Sequence, residues 1–245
     1  MRLQANYQIW KCADKPDGPR PMLGVVRIEL DPTAPPITYQ EWQANGGLIT
    51  KQSVDRWGLA IASDGQRLAI VPCVIEPGDQ VPVNVDVKAF QLARKKALAL
   101  RPLKYKKDPT LEWSCMLEEE GLMMVGGELL PSELAYVKGP YADWRMIVNW
   151  LGAPPDNYNQ PTRSAEPLGL FVDDLVAIQH ALGIGEGTDR SGVIITARHI
   201  NGLVLVEPPA TPYPRPPFAV VMPFYRQLPD RNQLMARFPQ PEVAT

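Results

Sequence analysis

Proline sets the first limit on how this chain folds. Twenty-seven of its 245 residues are proline, against 18 glycines, which is about twice the roughly 5% of average usage. Each proline removes an amide donor and fixes φ, so an all-helical bundle and a continuous parallel sheet are both excluded. Short antiparallel strands joined by stiff loops remain. With 45% hydrophobic residues the chain is apolar enough to bury a core, and its length suits one large or two small domains. A formal charge of −2 gives no global attraction to nucleic acid or to acidic membranes.

No stretch approaches the ~18–20 apolar residues of a membrane span. The first fifteen residues, MRLQANYQIWKCADK, have no apolar core of signal-peptide type, and no lipidation signal is present. Three cysteines, Cys12, Cys73 and Cys115, are odd in number and far apart. They fit reduced thiols in a cytoplasm, with a Cys12–Cys73 bridge as the alternative.

Three segments share a plan. In the first, VVRIEL (25–30) reads as a strand, and WGLAIAS (57–63) and RLAIVPCVI (67–75) flank Asp64-Gly65, a hairpin signal. Between them, TYQEWQANGG (38–47) predicts a short helix ended by paired glycines. The second segment places a strand at VNV (83–85) and Asp86 as N-cap of a helix over 87–100. Ala89, Phe90, Ala93, Ala97 and Leu100 share one face of that helix, with Lys88, Gln91 and Lys95 opposite. LEWSCML (111–117), a turn at Glu120-Gly121 and LMMV (122–125) make the next hairpin, followed by a strand near LAYV (134–137). The third segment repeats the second: LFVDDLVAIQHAL (170–182), GVIITARHI (192–200), a turn at Asn201-Gly202, LVLVE (203–207) and FAVVMPF (218–224). Val172-Asp173 falls where Val85-Asp86 stood. Such repetition implies an α+β fold, antiparallel sheets each carrying one helix.

No catalytic constellation, metal-ligand set or cofactor motif stands out, so the chain reads as a non-enzyme. Gly183-Ile184-Gly185-Glu186-Gly187 ends a helix instead of joining a strand to one, which is a helix terminator and not a phosphate loop. Glu118, Glu119 and Glu120 form an acidic turn without the alternating ligands of a calcium loop. Asp173 and Asp174 suit a helix start, by capping and the helix dipole. His180 and His199 have no nucleophile beside them in sequence. A basic cluster is more informative: Arg94, Lys95, Lys96, Arg101, Lys104, Lys106 and Lys107 place seven cations in fourteen residues. It is either a solvated helix face or a surface that tracks phosphates without reading bases. PPATPYPRPP (208–217) holds six prolines in ten residues and reads as a stiff loop, with a polyproline ligand as the alternative.

Four stretches then resemble one family. RPMLGVVRIE (20–29), ASDGQRLAIV (62–71), YADWRMIV (141–148) and FAVVMPFYR (218–226) follow each other in the order of motifs of the bacterial β sliding clamp, the processivity factor of the replicative polymerase. The family counterparts are Arg-Pro-x-Leu-x-Gly-Val-x-x-Glu, Ala-Thr-Asp-Gly-His-Arg-Leu-Ala, the strand Phe-Pro-Asp-Tyr-Arg-Arg-Val, and Tyr-Val-Val-Met-Pro-Met-Arg-Leu. The resemblance implies a clamp-like domain over 1–150, a linker at 151–164, a half-domain over 165–228 and a flexible tail at 229–245. The family's first domain and half of its last have no counterpart here.

What the resemblance implies for function is a peptide pocket and a hole for DNA. The pocket would use Leu23, Ser63, Gly65, Gln66, Arg67 and Leu68 on one side, and Val220, Met222, Pro223 and Phe224 on the other. Asn149 stands where the family has a pocket proline, and Phe224 replaces a methionine. Partners of the family insert a short motif of Gln with Leu or Phe, and Gln233–Phe238 of this chain looks partly like such a motif. Lys88, Arg94, Lys95, Lys96, Arg101 and Lys104 would face duplex DNA. Three units per chain in a ring of twelve would need four copies, assembled by a clamp loader around DNA. The expected protein is thus a cytoplasmic, compact clamp of phage or mobile-element type that tethers a DNA polymerase. Its rival is a clamp-derived adaptor or inhibitor that never closes a ring; a small-ligand enzyme is a third reading without acid–base residues to support it.

Overall fold

Alternation across two central strands organises the molecule. Along β5 (Arg56–Ser63) Ala60 and Ala62 enter one apolar cluster while Leu59 and Ile61 enter another. Along β6 (Arg67–Ile75) Ala69, Val71 and Cys73 go with the first cluster and Leu68 and Ile70 with the second. Successive strand residues point to opposite faces, so a strand buried on both sides must be apolar nearly throughout. Asp64 and Gly65 close this hairpin, with Gly65 at φ +88°, a backbone state that favours glycine.

This computed structural model describes residues 1–15, 20–43, 47–101, 111–131, 141, 143–146, 168–184, 194–197, 204–208, 216–222, 224 and 225. β5 and β6 lie inside a nine-stranded sheet. Its order runs from β13 (Ile194–Ala197) through β14 (Val204–Glu207), β15 (Phe218–Val221), β6, β5 and β2 (Val25–Leu30) to β7 (Val83–Asp86). β1 (Arg2–Gln4) joins the far end of β6 to β8 (Glu112–Ser114). These pairings are antiparallel, as the proline content required. A three-stranded sheet of β9 (Met116–Leu117), β10 (Met123–Val125) and β11 (Glu128–Leu130) lies beside it, and β12 (Leu168–Gly169) pairs with β16 (Phe224–Tyr225).

Two helices enter the same core on one side of the large sheet. α1 (Val87–Ala99) contributes Phe90 and Ala93, and α2 (Val172–Ala181) contributes Ile178 and Ala181. The fold is α+β, as expected. Asp86 caps α1 as expected, accepting from the amides of Lys88 at 2.6 Å and Ala89 at 3.0 Å. Phe90 meets Trp113 edge-on at 5.3 Å between ring centres, a favoured aromatic geometry. The expected turn at Glu120-Gly121 has φ +59° and +78°. A Cβ on Gly121 would lie 2.1 Å from the Asn84 carbonyl oxygen, so no side chain fits there.

Several local expectations are corrected. Residues 38–47 do not form a helix: β3 (Thr38–Trp42) pairs with β4 (Leu48–Gln52) as a hairpin. Thr38 stands opposite Gln52, Tyr39 opposite Lys51, Gln40 opposite Thr50 and Glu41 opposite Ile49, and the β-branched and aromatic residues of the two segments prevail over the helical reading. Leu100, the C-cap of α1, is 64% exposed, so the buried face of the helix does not extend to it. Residues 144–146 are helical, not the strand that the resemblance implied. The N-cap of α2 is Phe171, which provides no side-chain cap, so Asp173 is not the counterpart of Asp86, although Asp173 and Asp174 do lie in the first turn as expected. Gly183, at φ +65°, ends α2 as expected. The three cysteines are free and buried, without the alternative bridge. LAYV (134–137), Asn201-Gly202, Gly185, Gly187, 151–164 and 229–245 lie outside the described residues.

Candidate functional site

The two stretches singled out as pocket walls are neighbours in the sheet. β15 pairs with β6 so that Val220 stands opposite Leu68 and Val221 opposite Arg67. Just past β15, the Met222 amide donates to the Gln66 carbonyl at 2.9 Å. Residues more than 150 positions apart are therefore adjacent at the hairpin tip. Leu23, at the end of a short 3-10 turn over Pro21–Leu23, also reaches it: its Cδ1 lies 3.5 Å from where a Gly65 Cβ would be. The tip is built by its own side chains. Asp64 Oδ1 accepts from the amides of Gln66 at 2.9 Å and Arg67 at 2.7 Å. Ser63 Oγ donates to the Arg67 carbonyl at 2.8 Å and accepts from the Gly65 amide at 3.1 Å.

Each pocket residue has a distinct position. Gly65 and Gln66 are exposed, and Met222 is 56% exposed. Leu68 and Val220 are buried members of the second apolar cluster, with Leu59, Ile61 and Ile70, against which Tyr141, Trp144, Leu205 and Phe218 pack. Arg67 turns inward: its Nε donates to Asp64 Oδ2 at 2.7 Å and lies 3.7 Å from Asp174 Oδ1 on α2. Burial raises the Asp174 carboxyl above its ordinary range, and the Arg67 charge opposes that rise. Arg67 thus ties the tip to α2. Phe224 lies in β16, and Pro223 and Asn149 fall outside the described residues.

The basic residues are split. Lys88 and Lys95 are exposed on α1. Arg94 donates through Nε and Nη2 to the Ala5 carbonyl, at 3.0 and 2.6 Å, and its guanidinium stands 5.4 Å from the centre of the Trp10 ring. Lys96 pairs with Glu128, and Arg101 donates to the Glu112 carbonyl. Of the six expected DNA-facing residues, Arg94, Lys96 and Arg101 thus make these contacts in the fold, Lys104 lies outside the described residues, and Lys88 and Lys95 are exposed.

Sequence reasoning missed a cavity on the same sheet face. About 280 Å³ in volume, it is walled by Leu59, Ile70, Pro72 and Phe218 from the strands and by Trp144 and Arg145. Buried Glu29 fixes that second wall, accepting from Trp144 Nε1 at 3.2 Å, from Arg145, and from Arg27 Nε at 3.3 Å. The available signal was the alternation itself: Leu59 with Ile61, Leu68 with Ile70 and Phe218 with Val220 make a second apolar face. Such a face needs a cover, which the 141–146 segment supplies in part. Among the described residues no group of three or more His, Cys, Asp or Glu side chains is placed to hold a metal ion, and no helix is long and apolar enough to cross a membrane.

No family model matches the chain, and no curated protein does. Among solved structures it is similar to a DnaN sliding clamp, DNA polymerase III subunit beta, from Bartonella birtlesii bound to griselimycin. That similarity has 12% identity and a TM-score of 0.45, and covers 92% of this chain and 66% of that one. The chain therefore spans slightly less than two thirds of the clamp subunit it is similar to.

Proposed function

We propose that the protein is a non-enzymatic, clamp-like tether that takes peptides of DNA polymerase and other replication proteins in a slot at the tip of the β5–β6 hairpin. The observation that carries this reading is the adjacency of two sequence stretches that resemble the two walls of the clamp family's pocket: Leu68 opposite Val220, and the Met222 amide on the Gln66 carbonyl. Met222 and Leu23 offer an adaptable apolar rim, with Gln66 to hydrogen-bond a partner's polar end. Small apolar anchors in such a slot would bind with modest affinity, which a tether converts into high effective concentration.

The test is fluorescence anisotropy of the full chain with a labelled Gln-Leu-Ala-Leu-Phe peptide. Leu68→Ala with Met222→Ala is expected to weaken binding at least about tenfold, because each removes a buried or rim apolar contact. Unchanged affinity overturns the slot. In its fuller form the reading adds an oligomeric ring around duplex DNA, placed by a loader. The second reading, an adaptor that forms no ring, is favoured by one observation: Arg94, Lys96 and Arg101 make contacts inside the fold.

A further inference from the structure

We infer that the cavity beside the slot is a second anchor site, taking a bulky aromatic side chain flanked by an acidic residue from an extended peptide. This rests on the slot reading above and deepens it by naming the partner's chemistry. Four observations converge on that occupant.

The first is size. At about 280 Å³ the cavity falls just below the roughly 300–1,000 Å³ of pockets for drug-sized ligands, so it suits one large side chain and not a nucleotide-sized cofactor. The second is lining: Trp144 and Phe218 give aromatic walls, while Leu59, Ile70 and Pro72 give an aliphatic floor. The third is register. Phe218 pairs with Ile70 two residues along from the Val220–Leu68 pair, a step of about 7 Å in a strand. An extended peptide repeats its same-face side chains at that spacing, so slot and cavity match alternate residues of one ligand. The fourth is charge. The Arg145 guanidinium lies over the Trp144 ring at 4.5 Å, with its side chain 51% exposed. Arg145 lines the cavity and gives Nη2 to Glu29, so the other N–H groups of its half-exposed guanidinium are the donors a carboxylate would meet at the mouth. Asp31, also at the edge, is engaged in its own turn, accepting from the Thr33 amide at 3.0 Å and hydroxyl at 2.7 Å.

The experiment compares the labelled Gln-Leu-Ala-Leu-Phe peptide with two longer ones on the full chain. One carries Trp-Asp with Trp two residues beyond Phe, and the other carries Trp two residues before Gln with Asp beside it. One of the two is expected to bind at least about tenfold tighter than its Trp→Ala form. Ile70→Phe, which fills the cavity, should erase that gain and leave the short peptide's affinity unchanged. Because that variant could unfold, a second measurement needs no substitution in the cavity. Indole-3-acetate, an aromatic ring with a carboxylate, should shift the Trp144 indole N–H resonance of the native chain. Equal affinity of the long and short peptides, or no shift with indole-3-acetate, overturns this inference alone. Absence of binding by every peptide overturns the slot and the second anchor together.

Discussion

At the scale of single residues, the three thiols illustrate what burial does to a titrating group. Burial pushes Cys12 and Cys115 up to about 12, and Cys73 in the same direction. A thiolate there would lose its hydration, and for Cys12 the nearby Arg67 charge recovers only part of that cost. The unfolded chain has no such penalty and ionises near 9.0. The folded form therefore holds protons that the unfolded form releases. Stability from this source is intact below about pH 9 and declines as pH rises toward about 12, by roughly 1 kcal/mol per pH unit for each thiol. Urea unfolding at about pH 8 and about pH 10 should show that decline, and Cys115→Ala should make it shallower. Equal stability at the two pH values would show that the thiols are hydrated in the native state. Arg67 is the counterpart among charged residues. Its type and place suggest a hand held out to a partner, yet Asp64 and Asp174 hold it within the fold.

At the scale of elements, the two helices share a frame but not a cap. Asp86 accepts two amides at the start of α1, whereas Phe171 offers α2 only its backbone carbonyl, which accepts from Asp174 and Leu175 at 3.1 and 3.2 Å. Replacing a capping Asp by Ala costs about 1 kcal/mol, and supplying a missing cap returns a similar amount. Chemical denaturation should therefore find Asp86→Ala destabilised by about 1 kcal/mol and Phe171→Ser stabilised by about half of that or more. Opposite signs are the point; two losses would mean that the Phe171 ring packs more than its 56% exposure implies. Elements whose signals are local are legible in the sequence. β6 has the bounds expected for it and β5 begins one residue earlier, because an Asp-Gly turn sits between two apolar runs. α1 ends one residue before its expected limit, since Asp86 marks its start. β1 is not legible: three residues, Arg2–Gln4, carry no period, and only distant partners at Val74 and Trp113 make them a strand. The candidate site divides in the same way. The tip residues are read from their motif, whereas the cavity depends on Glu29 holding Trp144 and Arg145 from more than a hundred residues away.

At the scale of the whole molecule, the sheet joins residues 25–86 to residues 194–221, among the described strands, at the seam between β6 and β15. The proposed slot sits on that seam, so partner binding and the union of the two parts of the chain are one structural matter. DNA is a separate one. A protein that encircles duplex DNA needs cations facing the phosphates, and its grip weakens with salt in proportion to the phosphates it neutralises. Lys88 and Lys95 are the exposed pair on α1, while Arg94 and Arg101 reach backbone carbonyls. Lys88→Glu with Lys95→Glu should therefore lower the slope of log affinity against log salt by about 2, with peptide binding at the slot unaffected. Arg94→Gln should instead destabilise the fold by removing two hydrogen bonds to Ala5. Topology decides between the two readings of function. A ring, once loaded, stays on a nicked circular duplex and is lost when the circle is cut, because a closed ring leaves DNA only over an end. An adaptor shows no such dependence on ends. Retention on the circle with loss after linearisation, together with a shallower salt slope in the double variant, would establish encirclement. Equal behaviour on circle and line, with the slot still binding peptide, would leave the molecule a tether that has kept the clamp-like seam without the ring.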